Sequence, residues 1–199
     1  MKQVVLASGN PGKLKEMREL LAPSGLDIIS QKDLNIPDAE ETGLSFVENA
    51  LLKARNAAAH SGLPAIADDS GIEVDALEGA PGIYSARFAG PGASDTDNNA
   101  LLLEKLAGVP ETERTARYQC LMVFMRHAHD PVPLICQGSW EGRIQDEPRG
   151  ANGFGYDPHF LVPALGRTAA ELPPEEKNRL SHRGQALREL VRKITIPGN

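Results

Sequence analysis

Apolar positions recur along the chain with two periods, and the change from one to the other marks out its elements. Lys2 to Ala7 (KQVVLA) is a short apolar run stopped by Ser8-Gly9-Asn10-Pro11-Gly12, which predicts a buried strand running into a loop. From Lys13 to Ala22 the spacing of Leu14, Met17, Leu20 and Leu21 predicts a helix, and Leu26 to Ser30, after Gly25, a second strand. The clearest helix is Ser45 to Ser61, ended by Gly62 and Pro64. Two strand-like runs, Pro64 to Ala67 and Gly71 to Leu77, flank Asp68-Asp69-Ser70-Gly71, a composition that favours a turn. Ser94 opens another helix, with Ser94, Asp95 or Thr96 as its cap and Leu101 to Leu106 as its apolar part. Ala116 to Ala128 and Leu134 to Ile144, bridged by Asp130-Pro131, predict two long antiparallel strands. Ala186, Leu187, Leu190, Val191 and Ile194 mark one face of a closing helix. The expected fold is mixed α/β, a single domain over residues 1–199 whose sheet contains antiparallel pairs.

Composition narrows the class. With 199 residues, 41% hydrophobic and 24% charged, the chain can bury a globular core without staples. No apolar run approaches the roughly 18 residues that span a bilayer. Val4 to Ala7 is too short for a signal-peptide core. Cys120 and Cys136 each lie in an apolar stretch and read as buried free thiols of a reducing compartment, with a disulfide as the lesser alternative. A net charge of -6 disfavours stable nucleic-acid binding, which needs a basic face. A cytoplasmic protein with a small ligand and no membrane segment is expected.

Several segments could carry chemistry. Ser8-Gly9-Asn10-Pro11-Gly12-Lys13 joins a strand to a helix, where backbone N–H groups, the helix field and Lys13 can hold an anion. It is neither a Walker A loop nor a dinucleotide fingerprint, and an ordinary strand-to-helix turn has the same composition. Lys53 falls on the apolar stripe of its helix, near Phe46, Ala50 and Ala57, where it either snorkels outward or meets a buried anion. Asp68-Asp69 and Glu40-Glu41 offer hard oxygens suited to Mg²⁺, or are simply polar turns. Gly153-Phe154-Gly155-Tyr156-Asp157-Pro158 can stack a base or form a pinned turn. Ser181-His182-Arg183-Gly184 begins the closing helix, and Lys177 by itself passes as part of a solvated helical turn. His127 and His129 have no third ligand at metal spacing, and neither Ser70 nor Ser139 has a nucleophile-elbow pattern.

Taken together, SGNPGK at 8–13, ETG at 41–43, FVENALLKA at 46–54, ADDSG at 67–71, PGIYSARF at 81–88, GFGYDPHF at 153–160 and SHRGQA at 181–186 span nearly the whole chain. In this order they resemble the inosine triphosphate pyrophosphatase family, and within it the bacterial branch that acts on dITP, ITP and XTP. The resemblance implies a mixed central sheet with two α/β lobes flanking an active-site cleft, and a homodimer. It implies Mg²⁺-dependent hydrolysis of a purine nucleoside triphosphate to the monophosphate and pyrophosphate. Ser8, Gly9, Asn10, Pro11, Gly12, Lys13 and Lys53 would hold the triphosphate, and Asp69 would accept the proton of the attacking water. Glu41 and Asp69 would hold the metal, with Asp68 as a further candidate and Glu40 as the alternative to Glu41. Ser70, Phe154, Gly155, Tyr156, Asp157, Lys177, His182 and Arg183 would contact the nucleotide. The 6-keto acceptor of a deaminated purine calls for N–H donors, which His182, Arg183 and backbone N–H groups near them are expected to supply. A pyrophosphatase for modified pyrimidines and a non-catalytic nucleotide sensor are the alternatives. Release of pyrophosphate separates an enzyme from a sensor.

Overall fold

A computed structural model describes residues 3–195. Its seven strands are β1 (Gln3–Leu6), β2 (Asp27–Ser30), β3 (Ala65–Val74), β4 (Thr115–Met125), β5 (Leu134–Ile144), β6 (Phe160–Val162) and β7 (Arg167–Thr168). They form one sheet in the order β2-β1-β3-β4-β5-β6-β7. β1 runs parallel to β2 and to β3, with Gln3 opposite Asp27 and Val5 opposite Ala65. β5 with β6, and β6 with β7, are antiparallel. The helices are α1 (Pro11–Leu21), α2 (Phe46–Ser61), α3 (Asp95–Lys105), α4 (Pro174–Leu180) and α5 (His182–Thr195). The chain is mixed α/β, as the patterning predicts.

Local chemistry sets the helix ends. Asn10 caps α1 by accepting from Lys13 N at 3.1 Å, and Pro11 occupies the first turn, where its missing N–H costs nothing. This helix therefore starts two residues before Lys13. Ser45 caps α2, and Gly62 ends it in the left-handed region at φ 68°. Of the three cap candidates for α3, Ser94 is the one used, in a reciprocal box with Asp97.

The predicted turn at Asp68-Asp69-Ser70-Gly71 is not a turn. β3 passes straight through it, and the two predicted strands are one strand of 10 residues, with 75–77 a short 3₁₀ turn beyond it. Pairing with β1 and opposite charges around both carboxylates override local turn preference. β4 ends at Met125 and not at Ala128, because Asp130 gathers the next residues by accepting from Arg126 N and Val132 N, both at 3.0 Å.

Contacts divide the chain into two compact units. One holds the residues up to Asp69, Cys120–Gly138 and the chain from Arg183 onward; the other holds Ser70–Gln119 and Ser139–His182. In the first, alternation along the strands separates two apolar layers. Val4, Leu6 and Ile66 pack with Met17 and Leu21 of α1 and Leu187 and Leu190 of α5. Val5, Ala7, Ala65 and Ala67 pack against Ala50, Ala54, Ala57 and Ala58 of α2, whose small side chains let it lie close to the sheet. Cys120 and Cys136 are buried free thiols, and burial pushes the Cys120 thiol up to about 12. The second unit has its own core, in which Ile72, Leu102 and Leu106 surround Tyr118, Trp140 and Phe160.

Candidate active site

Two groups of polar side chains stand out, one in each unit. The first is built on β3. Ala65 and Ala67 face α2, and Ile66 faces α1 and α5, so the period of two turns Asp69 toward α2 and Asp68 toward α1 and α5. Lys53 of α2 lies 2.8 Å from Asp69 Oδ1 and 3.2 Å from Glu41. The lysine on the apolar stripe thus meets the buried Asp69 and the half-buried Glu41. Lys13 of α1 lies 3.0 Å from Asp68 Oδ2, and Arg183 of α5 lies on the same oxygen at 3.5 Å. A second arm of Arg183 is paired with Glu16 of α1.

These pairings set the charges. Burial opposes the negative charge on Asp68, but Lys13, Arg183 and Lys53 outweigh it and hold the carboxyl well below the usual range. Burial raises Asp69 against the opposing pull of Lys53 and Lys13. Burial would lower Lys53, yet Asp69, Asp68 and Glu41 overcome it and the ammonium keeps its proton more firmly than usual. Adjacent carboxylates therefore behave differently, because each faces a different set of cations.

The phosphate-loop candidates lie beside this group. Ser8 is buried and accepts from Asn10 N at 3.3 Å. Gly9, Asn10, Pro11 and Gly12 lead into α1, whose first turn carries no acidic side chain of its own to offset its N–H groups. Gly43 is held where a Cβ would collide with Glu48 and Asn49, and its N–H donates to Asn49 Oδ1 at 2.8 Å, anchoring the segment that carries Glu41. Two residues that sequence reasoning missed belong here. Asn49, fully buried, directs its amide at Asp69 Oδ2 at 3.5 Å, and Glu16 supports Arg183. A polar i, i+4 pair on an apolar stripe, Asn49 with Lys53, was the signal for the first; nothing local distinguishes Glu16.

The second group gathers the GFGYDP loop. Gly153 has φ 76°, and a Cβ there would overlap the Asp157 carboxylate, so glycine is required twice over. Asp157 Oδ2 accepts from Phe154 N at 2.9 Å and from Lys177 at 2.7 Å. Lys177 is not part of a solvated turn: it is 5% exposed, and its ammonium lies over the Phe154 ring at 5.0 Å. Asp95 and Asn99 of α3 clamp Gly155, one accepting from its N–H at 2.7 Å and the other donating to its carbonyl at 2.9 Å. Tyr156 donates its hydroxyl to Ser85 O at 2.7 Å, and Ser70 is half-buried in β3. His182 stacks on Tyr118, a third residue that sequence reasoning missed. His182 and Arg183 are neighbours in sequence, yet one belongs to this group and the other to the carboxylates of the first unit.

Other candidates carry less. His127 and His129 are exposed in the turn after β4, and among the described residues no group of three or more His, Cys, Asp or Glu is placed to hold a metal by itself. No described helix is long and apolar enough to cross a membrane.

A model of the Ham1 family matches residues 4–193. The chain is 63% identical over 192 residues to a dITP/XTP pyrophosphatase of Thioalkalivibrio sulfidiphilus, covering 96% of this chain and 98% of that protein. It is 59% identical over 191 residues to a dITP/XTP pyrophosphatase of Escherichia coli O157:H7, covering 96% and 97%. Among solved structures, a HAM1 protein from Coxiella burnetii matches with a TM-score of 0.91 at 52% identity, over 98% of this chain and 99% of that one.

Proposed function

We propose an activity for this chain, which belongs to the Ham1 family: it hydrolyses deaminated purine nucleoside triphosphates (dITP, ITP and XTP) to the monophosphate and pyrophosphate. Such an enzyme removes these nucleotides from the pool before they enter DNA or RNA. The observation that carries the reading is the charge set in which half-buried Lys13, Lys53 and Glu41 gather around buried Asp68 and Asp69, in a chain whose relatives are named dITP/XTP pyrophosphatases.

In this reading Ser8, Gly9, Asn10, Pro11, Gly12, Lys13 and Lys53 hold the triphosphate, whose charge the start of α1 and the two ammonium groups offset. Glu41 and Asp69 fit Mg²⁺: both are hard carboxylates already drawn to one cation, and Mg²⁺ is commonly held by one or two carboxylates together with substrate phosphates. When bound, the ion supplies charge neutralisation at phosphoryl oxygens and a lower pKa for water. Asp69 accepts the proton of the water that attacks the α-phosphorus, and Asn49 orients it. In-line displacement of pyrophosphate depends on positioning, so no nucleophilic side chain is needed. Asp68, engaged by Lys13 and Arg183, holds those cations in place rather than the metal. Ser70, Phe154, Gly155, Tyr156, Asp157, Lys177 and His182 contact the nucleoside, with Phe154 stacking on the base. Arg183 acts on the polyphosphate side.

A homodimer as the working form follows from the family resemblance. The cytoplasm suits the buried free thiols, and the net charge of -6 leaves stable nucleic-acid binding out of the reading. The activity is tested by incubating the protein and Mg²⁺ with dITP, ITP, XTP, dATP and dGTP and resolving the products. Monophosphate and pyrophosphate, formed preferentially from the deaminated substrates, are expected. Diphosphate and inorganic phosphate, or no preference among bases, would overturn it.

A further inference from the structure

We propose that Tyr118 is a positioning residue for base selection, which fixes the Asp157 carboxylate with its hydroxyl and the His182 ring with its face. The proposal rests on the reading above in which Asp157 and His182 meet the nucleoside. Tyr118 stands in β4, with its ring 4.6 Å from that of Phe160 and 6.4 Å from that of Trp140. For that packing a phenylalanine would suffice. The hydroxyl is an added polar group on a side chain 8% exposed, and a buried hydroxyl is costly without a partner. Its partner is Asp157 Oδ1, to which it donates at 3.1 Å.

The second carboxylate oxygen accepts from Lys177 and from Phe154 N. Three donors on two oxygens define the plane of the carboxylate, and the same bonds hold the loop that carries Phe154. The opposite demand is made on the face of the tyrosine ring. His182 lies parallel to it, with centroids 4.7 Å apart and 9° between the planes. A stack fixes the plane of an imidazole, and with it the plane in which both ring nitrogens can donate or accept. One core side chain thus touches two groups assigned to the nucleoside and has no need to touch the nucleotide itself.

A deaminated purine presents a 6-keto acceptor where adenine presents an amino donor. A site rejects the wrong partner by hydrogen bonding only while its polar groups are held in one geometry. Releasing Asp157 and His182 should weaken recognition of the base. The attack on phosphorus, carried by Asp69 and Lys53, should proceed much as before.

Tyr118→Phe keeps the stack and deletes the bond to Asp157; Tyr118→Leu deletes both. The measurements are kcat and KM for dITP and for dATP, with the melting temperature of each variant. For Tyr118→Phe we expect a raised KM for dITP, little change in kcat, and a dITP-to-dATP ratio of kcat/KM narrowed about 3- to 10-fold, the worth of one hydrogen bond. Tyr118→Leu should narrow it further, and if that variant does not fold the phenylalanine variant decides alone. The ratio of two substrates on one sample is independent of the folded fraction, so a residue that only fills the core would lower the melting temperature and leave the ratio unmoved. A Tyr118→Phe enzyme with the wild-type ratio and KM overturns the proposal. A wild-type enzyme with no preference for dITP over dATP overturns the functional reading itself, and this inference with it.

Discussion

Asp68 and Asp69 share a peptide bond and are both buried, yet they contact different cations. A strand sends them to opposite faces, where Asp68 meets Lys13 and Arg183 and Asp69 meets Lys53. On the proposed mechanism, Asp69→Asn keeps the shape and removes the proton acceptor. Proton-transfer groups contribute about 10²–10⁴-fold, so kcat should fall by at least about 10²-fold with the fold intact by circular dichroism. Retention of more than about a tenth of wild-type kcat would remove Asp69 from that role. Arg183 is only 2% exposed and stands between Glu16 and Asp68. Arg183→Ala leaves two carboxylates without it, a loss expected to cost about 3–5 kcal/mol in denaturant unfolding, as for other broken buried pairs. Activity on dITP and dATP should fall together, leaving their ratio unchanged. A narrowed ratio would return Arg183 to the base.

Among the elements, the link between β4 and β5 shows how one side chain shapes a turn. Asp130 accepts from the Arg126 guanidinium and from the N–H groups of Arg126 and Val132. The Arg126 side chain foremost, helped by those backbone N–H groups, holds its carboxyl well below the usual range. A carboxyl lower in the folded than in the unfolded chain stabilises the fold above the unfolded pKa and loses that contribution as pH falls toward the folded value. Asp130→Asn should therefore be less stable to urea than wild type at neutral pH, with the gap closing as pH drops below about 4. A gap that stays constant into acid would mean that the charge contributes nothing. The elements themselves were largely legible: Ser45 and Gly62 bound α2, and Ser94 caps α3, as their side chains and φ preferences require. The segment at 68–71 was not, because its turn-like composition gives no sign of the cations that neutralise it.

For the molecule as a whole, Lys53 pairs with both Glu41 and Asp69, so on the proposed reading removal of Mg²⁺ is expected to cost activity and not stability. Dialysis against EDTA should abolish turnover and leave the melting temperature where it was, with Mg²⁺ restoring activity. Undiminished turnover in the chelator would remove Mg²⁺ from the reaction. The loops and blocks that carry the resemblance, the apolar periods and the lysine on the wrong side of its helix were all written in the order of residues, since each is a local pattern that any folded state must satisfy. Which charges meet was not. Lys13 and Asp68 are far apart along the chain, as are Asp157 and Tyr118, and Arg183 parts company with His182 beside it. Those partners come together only when strands fix alternate faces and helices pack on them, so sequence named Lys13, Lys53, Asp68, Asp69 and Asp157, while tertiary packing paired them and brought in Glu16, Asn49 and Tyr118.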